Sequence, residues 1–393
     1  MTEARDGTDA ELLTVDEVAD LLGVQRRTVY AYVSRGQLAR NQRPGSRQSW
    51  FRRSDIEAMV RGDRAQQPGR GAPRERTELT SIVDGRLLYR GRDAVDLAGE
   101  VGFEQVAEWL WTGVDAAPAP WRQIASVPDD VAGFALPPGH LPLDRLKLTV
   151  SGLSAADPLR FDLSTAGVIS VARSLLAGLA RCLPVAPGVT LPSADAPIAA
   201  QLWSRLAPGR SRPRAVGLLD RALVLVADHG LAPSTRAARL AASVAADPYS
   251  VVLTGMGVAS GLRHGGSSTG VHSLLEEIAG PERVADVLAG RLALGGVLPG
   301  FGQARYEGAD PRAGHLLDEL LADDTADPVR RRVVCDVLEL VARRSGESPN
   351  VEFALGALCH VHGLVHGAGE VLFHLGRSAG WLAHALEERD GRT

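Results

Sequence analysis

The sequence predicts a mainly α protein of 393 residues, in which a small unit of helix, tight turn, helix and hairpin precedes one large all-helical region. Three observations carry this. First, "SLLAGLARCL", "VGLLDRALVLVADHG", "RRRVVCDVLELVARR" and "GWLAHALEE" repeat apolar residues at i, i+3 and i+4. Second, β-branched alternation is scarce after "LTSIVDGRLLYRG". Third, arginine is concentrated near the N-terminus. Residues 12–61 hold nine arginines (26, 27, 35, 40, 43, 47, 52, 53, 61) against five acids (16, 17, 20, 55, 57), although the whole chain has a net charge of −4.

The elements follow in order. The first ten residues show no basic stretch followed by an apolar run, so no signal peptide is indicated, and disorder is expected there. In "LTVDEVADLLGV", Thr14 and Glu17 have the spacing of a capping box, and Val15, Val18, Ala19 and Leu22 form one buried stripe. Gly23 ends that helix. "QRRTVYAYVSRG" is a second short helix ended by Gly36. Pro44-Gly45 marks a turn between two short extended pieces, and Ser54 caps a last helix carrying Ile56, Met59 and Val60. Helix, tight turn, helix and hairpin wing make a DNA-binding arrangement, with arginines on the second helix and the wing. A small helical module that binds protein is the alternative.

Residues 62–78, "GDRAQQPGRGAPRERTE", lack apolar periodicity and are read as a linker. Short strands are expected as a hairpin around Asp84-Gly85. From Leu79 to about residue 390 the rest is helical, except that 114–160, rich in Pro and Ala, is expected to be irregular. No repeat of 20–50 residues is present.

Composition bounds the function. Apolar residues make up 45% and charged residues 23%, an ordinary profile for a soluble globular protein. Lys147 is the single lysine, a bias read as compositional. Cys182, Cys335 and Cys359 are odd in number and lack metal-ligand spacing, so reduced thiols, a cytoplasmic location and no metal site are expected. Alanine- and leucine-rich runs are broken well short of a membrane span.

Polar clusters interrupt the helical sequence. "ADHGLAPSTRAAR" gathers Asp228, His229, Ser234, Thr235 and Arg239. "GLRHGGSSTGV" sets His264 before two glycines and a helix start, where amides can hold an anion. "PGFGQARYEGADPRAG" offers Gln303, Arg305, Tyr306 and Arg312. "SPNVEFALGAL" has Glu352 as the one acid at an apolar helix start, and "LGRSAGWLAHALEE" puts Arg377 ahead of an apolar helix. Each also has a plain structural explanation: a satisfied histidine in a turn, a capping Arg312 or Glu352, a surface Arg377.

Two resemblances sharpen these patterns. Residues 12–61 resemble the MerR-like and excisionase-like winged helix-turn-helix, which implies DNA contact through Arg26, Arg27, Thr28, Tyr30, Arg35 and Arg47. From Leu79 to Glu388, "LLYRGRDAVDLAGEVGFEQVAEWLWTG" and the polar clusters follow, in order, the motifs of the citrate synthase family. That resemblance implies a large all-helical, two-lobed domain over 79–390 that dimerises through packed helices. It also implies a Claisen condensation of acetyl-CoA or another acyl-CoA with oxaloacetate or a related 2-oxo acid. CoA is then a substrate, and no cofactor is bound.

By the same resemblance, His264 stabilises the enol, His229 binds substrate, and Arg312 and Arg377 hold the dicarboxylate. Glu352 stands at the catalytic aspartate, one methylene longer, a change that moves a base by roughly 1 Å and costs about a hundredfold in rate. Gln303 stands where a histidine polarises the ketone. Its amide donates a hydrogen bond but delivers no proton. The next residue, often Arg in the bacterial motif, is Ala304. The family's further segment, with an arginine reaching the neighbouring subunit's substrate, is expected to be absent. The expected partners are therefore a second copy or a homologue in a mixed pair, DNA through 12–61, and no membrane. Two functions stay open. One is a weakened citrate-synthase-type enzyme fused to a DNA-binding module. The other is a transcription regulator using a degenerate domain of this kind for dimerisation and carboxylate or acyl-CoA sensing. A pure scaffold would need none of His264, Arg312 and Arg377.

Overall fold

Two small antiparallel sheets and a long succession of helices make up the computed structural model. It describes residues 12–22, 24–34, 38, 40–42, 48–53, 56, 76–121, 136–185, 189–209, 212–261, 264–293, 296–302, 305–306 and 308–390. The chain divides into two units, 1–69 and 70–393.

In the first unit, β1 (Leu12–Thr14) leads into α1 (Val15–Leu22), followed by α2 (Arg26–Ser34), β2 (Asn41–Gln42) and β3 (Ser49–Arg52). The Thr14 amide donates to Glu17 at 2.7 Å and the Glu17 amide to the Thr14 hydroxyl at 3.4 Å, the expected capping box. β1 was not foreseen. It pairs with β3, which also pairs with β2, so the wing is a three-stranded sheet in the order β1-β3-β2. A core of Leu13, Val15, Val18, Ala19, Val29, Leu38, Phe51 and Ile56 unites helices and sheet. The Pro44-Gly45 turn, the Ser54 cap, Met59, Val60 and the first ten residues lie outside the described residues.

The second unit opens with β4 (Thr80–Val83), β5 (Arg86–Tyr89) and β6 (Arg92–Asp93), in sheet order β4-β5-β6. The expected hairpin turns at Asp84 (φ 50°) and Gly85 (φ 74°), two left-handed residues that match the strands' twist. Residues 76–78, inside the stretch read as linker, are held by the helical unit. The Glu78 amide donates to Glu387 at 2.7 Å, and the Thr77 hydroxyl to the same carboxylate at 3.2 Å.

The helices are α3 (Ala94–Glu100), α4 (Phe103–Thr112), α5 (Pro142–Ala156), α6 (Thr165–Arg181), α7 (Ile198–Leu206), α8 (Pro213–Val226), α9 (Pro233–Ser243), α10 (Pro248–Ala259), α11 (Ser267–Ile278), α12 (Val284–Ala293), α13 (Pro311–Leu321), α14 (Pro328–Ser345), α15 (Val351–His362) and α16 (Ala368–Asp390). Most start at a proline or beside a capping Asp, Asn or Ser, as the helix N-terminus requires. α5 corrects the expectation of irregular structure over 114–160. Pro142 reads as a breaker in sequence, but it occupies the first helical position, where its missing N–H costs nothing.

α16 is the axle of the fold. From Ala368 to Leu386 every residue is buried, and the helix packs against α4, α6, α8, α9 and α10. Glycines permit that closeness. A Cβ at Gly380 would stand 2.4 Å from the Ala227 carbonyl oxygen, and one at Gly376 2.6 Å from Val226. Gly380→Ala is therefore expected to destabilise the protein by ~1–3 kcal/mol, read as a lower midpoint in urea unfolding. Arg377 sits in mid-helix, not ahead of one as the sequence suggested. The apolar run was legible only from Trp381 onward, while the helix starts at Ala368. No helix among the described residues is long and apolar enough to cross a membrane.

Candidate active site

Four segments deliver the polar clusters to one interior place. The first is the end of α8. Tyr89 is fully buried, and its hydroxyl lies 3.1–3.2 Å from the carbonyls of Val224, Leu225 and Asp228. Asp228 takes hydrogen bonds from the Thr80 hydroxyl, from the Gly230 amide at 3.0 Å and from His384 at 3.2 Å. This fixes the backbone on both sides of His229. Arg239, also in the sequence cluster, turns away. It is fully buried, donates to His384 at 3.0 Å, pairs with Glu388 at 2.9 Å and contacts Glu387.

The second segment is the turn before α11. Gly265 packs on Phe373, where a Cβ would come within 2.7 Å of the ring, and this seats His264 edge-on to that ring at 5.8 Å. His264 Nε2 lies 2.8 Å from the Ser234 hydroxyl, itself fully buried at the start of α9.

The third segment runs from Val297 to the start of α13. Gly300 (φ 81°) lies against Phe353, where a Cβ would stand 2.7 Å away. The Asn350 amide donates to Gly300 at 2.9 Å, and its side chain donates to Gly302 at 2.9 Å. The loop is thereby latched to the N-terminus of α15. Past it, Tyr306 places its hydroxyl 2.8 Å from His229 Nε2. Arg305 donates to the His229 carbonyl at 3.1 Å. Arg312 is gripped by Asp310 through Nε at 3.0 Å and Nη2 at 2.8 Å, and its guanidinium faces the Tyr306 ring at 5.7 Å. Asp310 also accepts from the Val351 amide at 3.0 Å, so one carboxylate ties Arg312 to the helix that carries Glu352.

The fourth segment is α16. Arg377, 1% exposed, donates through Nε to the Val226 carbonyl at 2.7 Å and stacks on Phe373 at 4.8 Å. Among the described residues Arg377 makes no other hydrogen bond, so both its terminal nitrogens are unspent; so is Nη1 of Arg312. A buried guanidinium that leaves donors unused is costly unless something anionic completes it.

The electrostatics agree. Burial pushes the Glu352 carboxyl up to about 8, against the pull of Arg312 and Arg377, and its Oε2 is buried without a partner. Burial, helped by Arg377 and Arg305, lowers His264 to about 4. Burial and then Arg312 hold His229 well below its ordinary value. At neutral pH the site therefore has two neutral imidazoles, one protonated carboxyl and an excess of guanidinium charge. It is built to receive an anion.

His229, His264, Arg312, Arg377 and Glu352 are thus assembled in one site. Gln303 lies outside the described residues, as do Ala304, Arg35 and Arg47. In the first unit, Arg26 pairs with Asp16 at 3.0 Å on the surface, Arg27 and Tyr30 are exposed, and Thr28 is half-buried on the same helix. Sequence reasoning missed Asp310 and Phe373 as supports, and gave no role to Ser234 or Tyr306. The sequence offered one clue to Asp310: the Asp-Pro-Arg triplet makes it the helix cap beside Arg312. Among the described residues, no group of three His, Cys, Asp or Glu side chains could hold a metal ion.

Comparison with known proteins agrees with this architecture. Residues 70–393 match the family model "Citrate synthase, C-terminal domain", and residues 12–64 match a helix-turn-helix domain model. The chain is 27% identical over 341 residues to a protein of Bacillus subtilis named citrate synthase 2, covering 80% of this chain and 89% of that one. It is 29% identical over 339 residues to a 2-methylcitrate synthase of Mycobacterium tuberculosis, covering 79% and 84%. The fold matches citrate synthase from Thermotoga maritima with a TM-score of 0.65 at 24% identity, covering 82% and 91%. It matches the Thermoplasma acidophilum enzyme, solved as a ternary complex with carboxymethyl coenzyme A and oxaloacetate, with a TM-score of 0.65 at 20% identity, covering 80% and 89%.

Proposed function

Because the chain belongs to the citrate synthase family, we propose that its buried site condenses an acyl-CoA with a 2-oxo dicarboxylate of the oxaloacetate type, and that the N-terminal helix-turn-helix unit ties this chemistry to DNA. One observation carries the enzymatic reading. A buried carboxyl with one oxygen lacking a partner, Glu352, shares an interior with two buried guanidinium groups that have unspent donors.

Arg312 and Arg377 hold the substrate carboxylates with those free donors, and Asp310 keeps Arg312 rigid. Glu352, once deprotonated, removes a proton from the carbon next to the thioester. A proton this weakly acidic moves only if the forming enolate oxygen is met by a placed donor. His264 is that donor, oriented by its contact with Ser234. His229 contributes to holding the 2-oxo acid. The enolate carbon attacks the ketone, and water then cleaves the thioester to release the hydroxy tricarboxylate and CoA. CoA is a substrate in this scheme, not a resident group.

The experiment is CoA release from acetyl-CoA or propionyl-CoA with oxaloacetate, followed by a thiol reagent. The two thioesters correspond to the citrate and 2-methylcitrate synthases among the relatives. Release above the uncatalysed rate supports the reading. None with either thioester contradicts it.

The family's homodimer, which we propose for this chain as well, would pair two helix-turn-helix units, suited to a two-fold symmetric site. Arg26 and Arg27, exposed at the start of α2, then contact phosphates or base edges. Arg26→Ala with Arg27→Ala is expected to weaken binding to the protein's own promoter region at least tenfold. It is also expected to flatten the salt dependence by about two phosphate contacts, measured as the slope of log K against log salt. Unchanged affinity and slope would exclude DNA contact through this helix.

A further inference from the structure

We infer that Ser268 is a positioning residue for Glu352, its buried hydroxyl and amide receiving the carboxylate once the base is ionised; the inference rests on the condensation proposed above and deepens it. A base must be ionised to work, and a carboxylate in a dry interior is costly unless donors meet it. Arg312 and Arg377 pull on Glu352 through charge, but their donors are needed for the substrate carboxylates. A neutral donor serves the base better. It favours the ionised form and has no proton to give away that would quench it.

The packing puts Ser268 in that place. It lies in the first turn of α11 and is fully buried. Glu352 and Gly356 are four residues apart, on one face of α15. That face presses on α11. A Cβ at Gly356 would stand 2.5 Å from Val271 Cβ and 2.9 Å from the Ser268 carbonyl oxygen. α16 closes in as well, since a Cβ at Gly369 would stand 2.9 Å from Ser268 Oγ. Glu352 is fixed from its own end, where its amide donates to the Asn350 side chain at 3.0 Å. Ser268 is thus held against the helix face that bears the carboxyl.

The polar atoms match this placement. Ser268 Oγ makes no well-aligned hydrogen bond among the described residues, and neither does Glu352 Oε2, although both are buried. Two such atoms so close together are uncommon in a folded protein and call for a use. Both the amide and the hydroxyl of Ser268 act on the Glu352 carboxyl as donors, against the effect of burial. While the carboxyl is protonated, the hydroxyl is idle. Once it ionises, the two donors hold one oxygen and leave the other to face the carbon acid. After Glu352 has taken the proton it is neutral again, and the hold relaxes.

Ser268→Ala removes the hydroxyl and keeps the amide and the packing. In this variant the inflection in the pH dependence of kcat/KM for CoA release is expected to rise by about one pH unit, so that the rate falls about tenfold at any pH below the wild-type inflection. Above both inflections the rate, and KM for oxaloacetate, should stay within about threefold of wild type. A loss of equal size at every pH, with the inflection unmoved, makes Ser268 merely structural and overturns the inference while the condensation stands. A second measurement needs no turnover. Below pH 7 Glu352 is protonated in both folded proteins, so the gap between their urea midpoints is constant. Wild type stops losing stability once its carboxyl ionises, at about 8, whereas the variant goes on losing it to higher pH. The gap should therefore widen between pH 7.5 and 9.5, and Ser268→Ala in a Glu352→Gln background should show no widening. A gap that stays constant, or that widens equally with Gln at 352, overturns the inference. A wild-type protein that releases no CoA overturns the condensation, and the part of Ser268 in turnover with it, whatever the midpoints show.

Discussion

Glu352→Gln is expected to lower turnover by 10²–10⁴-fold, the usual contribution of a positioned base, with little change in shape or packing. The same substitution has a consequence for stability that an exposed acid would not give. The folded-state pKa of Glu352, about 8, lies above its ordinary value of 4.5 because the carboxyl is buried. Folding thus favours the protonated form. The stabilisation from this group is complete below 4.5 and is lost as the pH climbs through 8. A glutamine amide at this position cannot ionise and escapes that loss. Urea midpoints of the variant and wild type should be similar at pH 5 and diverge by pH 8.5, with the variant the more stable. Midpoints that stay parallel across that window would mean that Glu352 is not the buried neutral acid described.

Arg377→Met should separate binding from folding even more sharply. The guanidinium is buried in mid-helix with a single hydrogen bond among the described residues, to the Val226 carbonyl. Removing a charge that the unliganded protein completes so poorly is expected to leave stability within ~1 kcal/mol of wild type, or to raise it. The neighbouring carboxylate of Asp228 keeps Thr80, Gly230 and His384 as partners, so it is not stranded. Affinity for a dicarboxylate, in contrast, should fall by ~3 kcal/mol, more than a hundredfold. The thermal shift produced by oxaloacetate in wild type should vanish in the variant. A variant that is grossly destabilised yet still shifted by oxaloacetate would make Arg377 a structural residue.

Part of this was legible in the sequence because it is local. The capping box at Thr14 and Glu17, the Asp84-Gly85 hairpin and the amphipathic helices each depend on residues a few positions apart. The polar clusters announced themselves because they interrupt apolar helices. What the sequence hid is long-range. Without the family resemblance, which made Arg377 a dicarboxylate ligand, the local sequence equally allowed a surface charge ahead of a helix, since nothing nearby shows that α16 is buried along almost its whole length. His384 and Arg239 are 145 positions apart, and only the folded chain brings them together. Tyr306 stood in a candidate polar cluster without a role because its partner, His229, is 77 residues upstream. The Pro142 helix was missed for a different reason: proline breaks a helix interior but opens a helix, and the flanking Pro-rich sequence obscured which applied.

The most direct test of the account is the pH dependence of kcat/KM for CoA release by the wild-type protein, from pH 6 to 9, with saturating oxaloacetate. A buried base at about 8 predicts a rate that climbs roughly tenfold per pH unit below that value and levels off above it. A flat profile, or no release of CoA at any pH, would contradict the assignment of Glu352 as the base of a working condensation site.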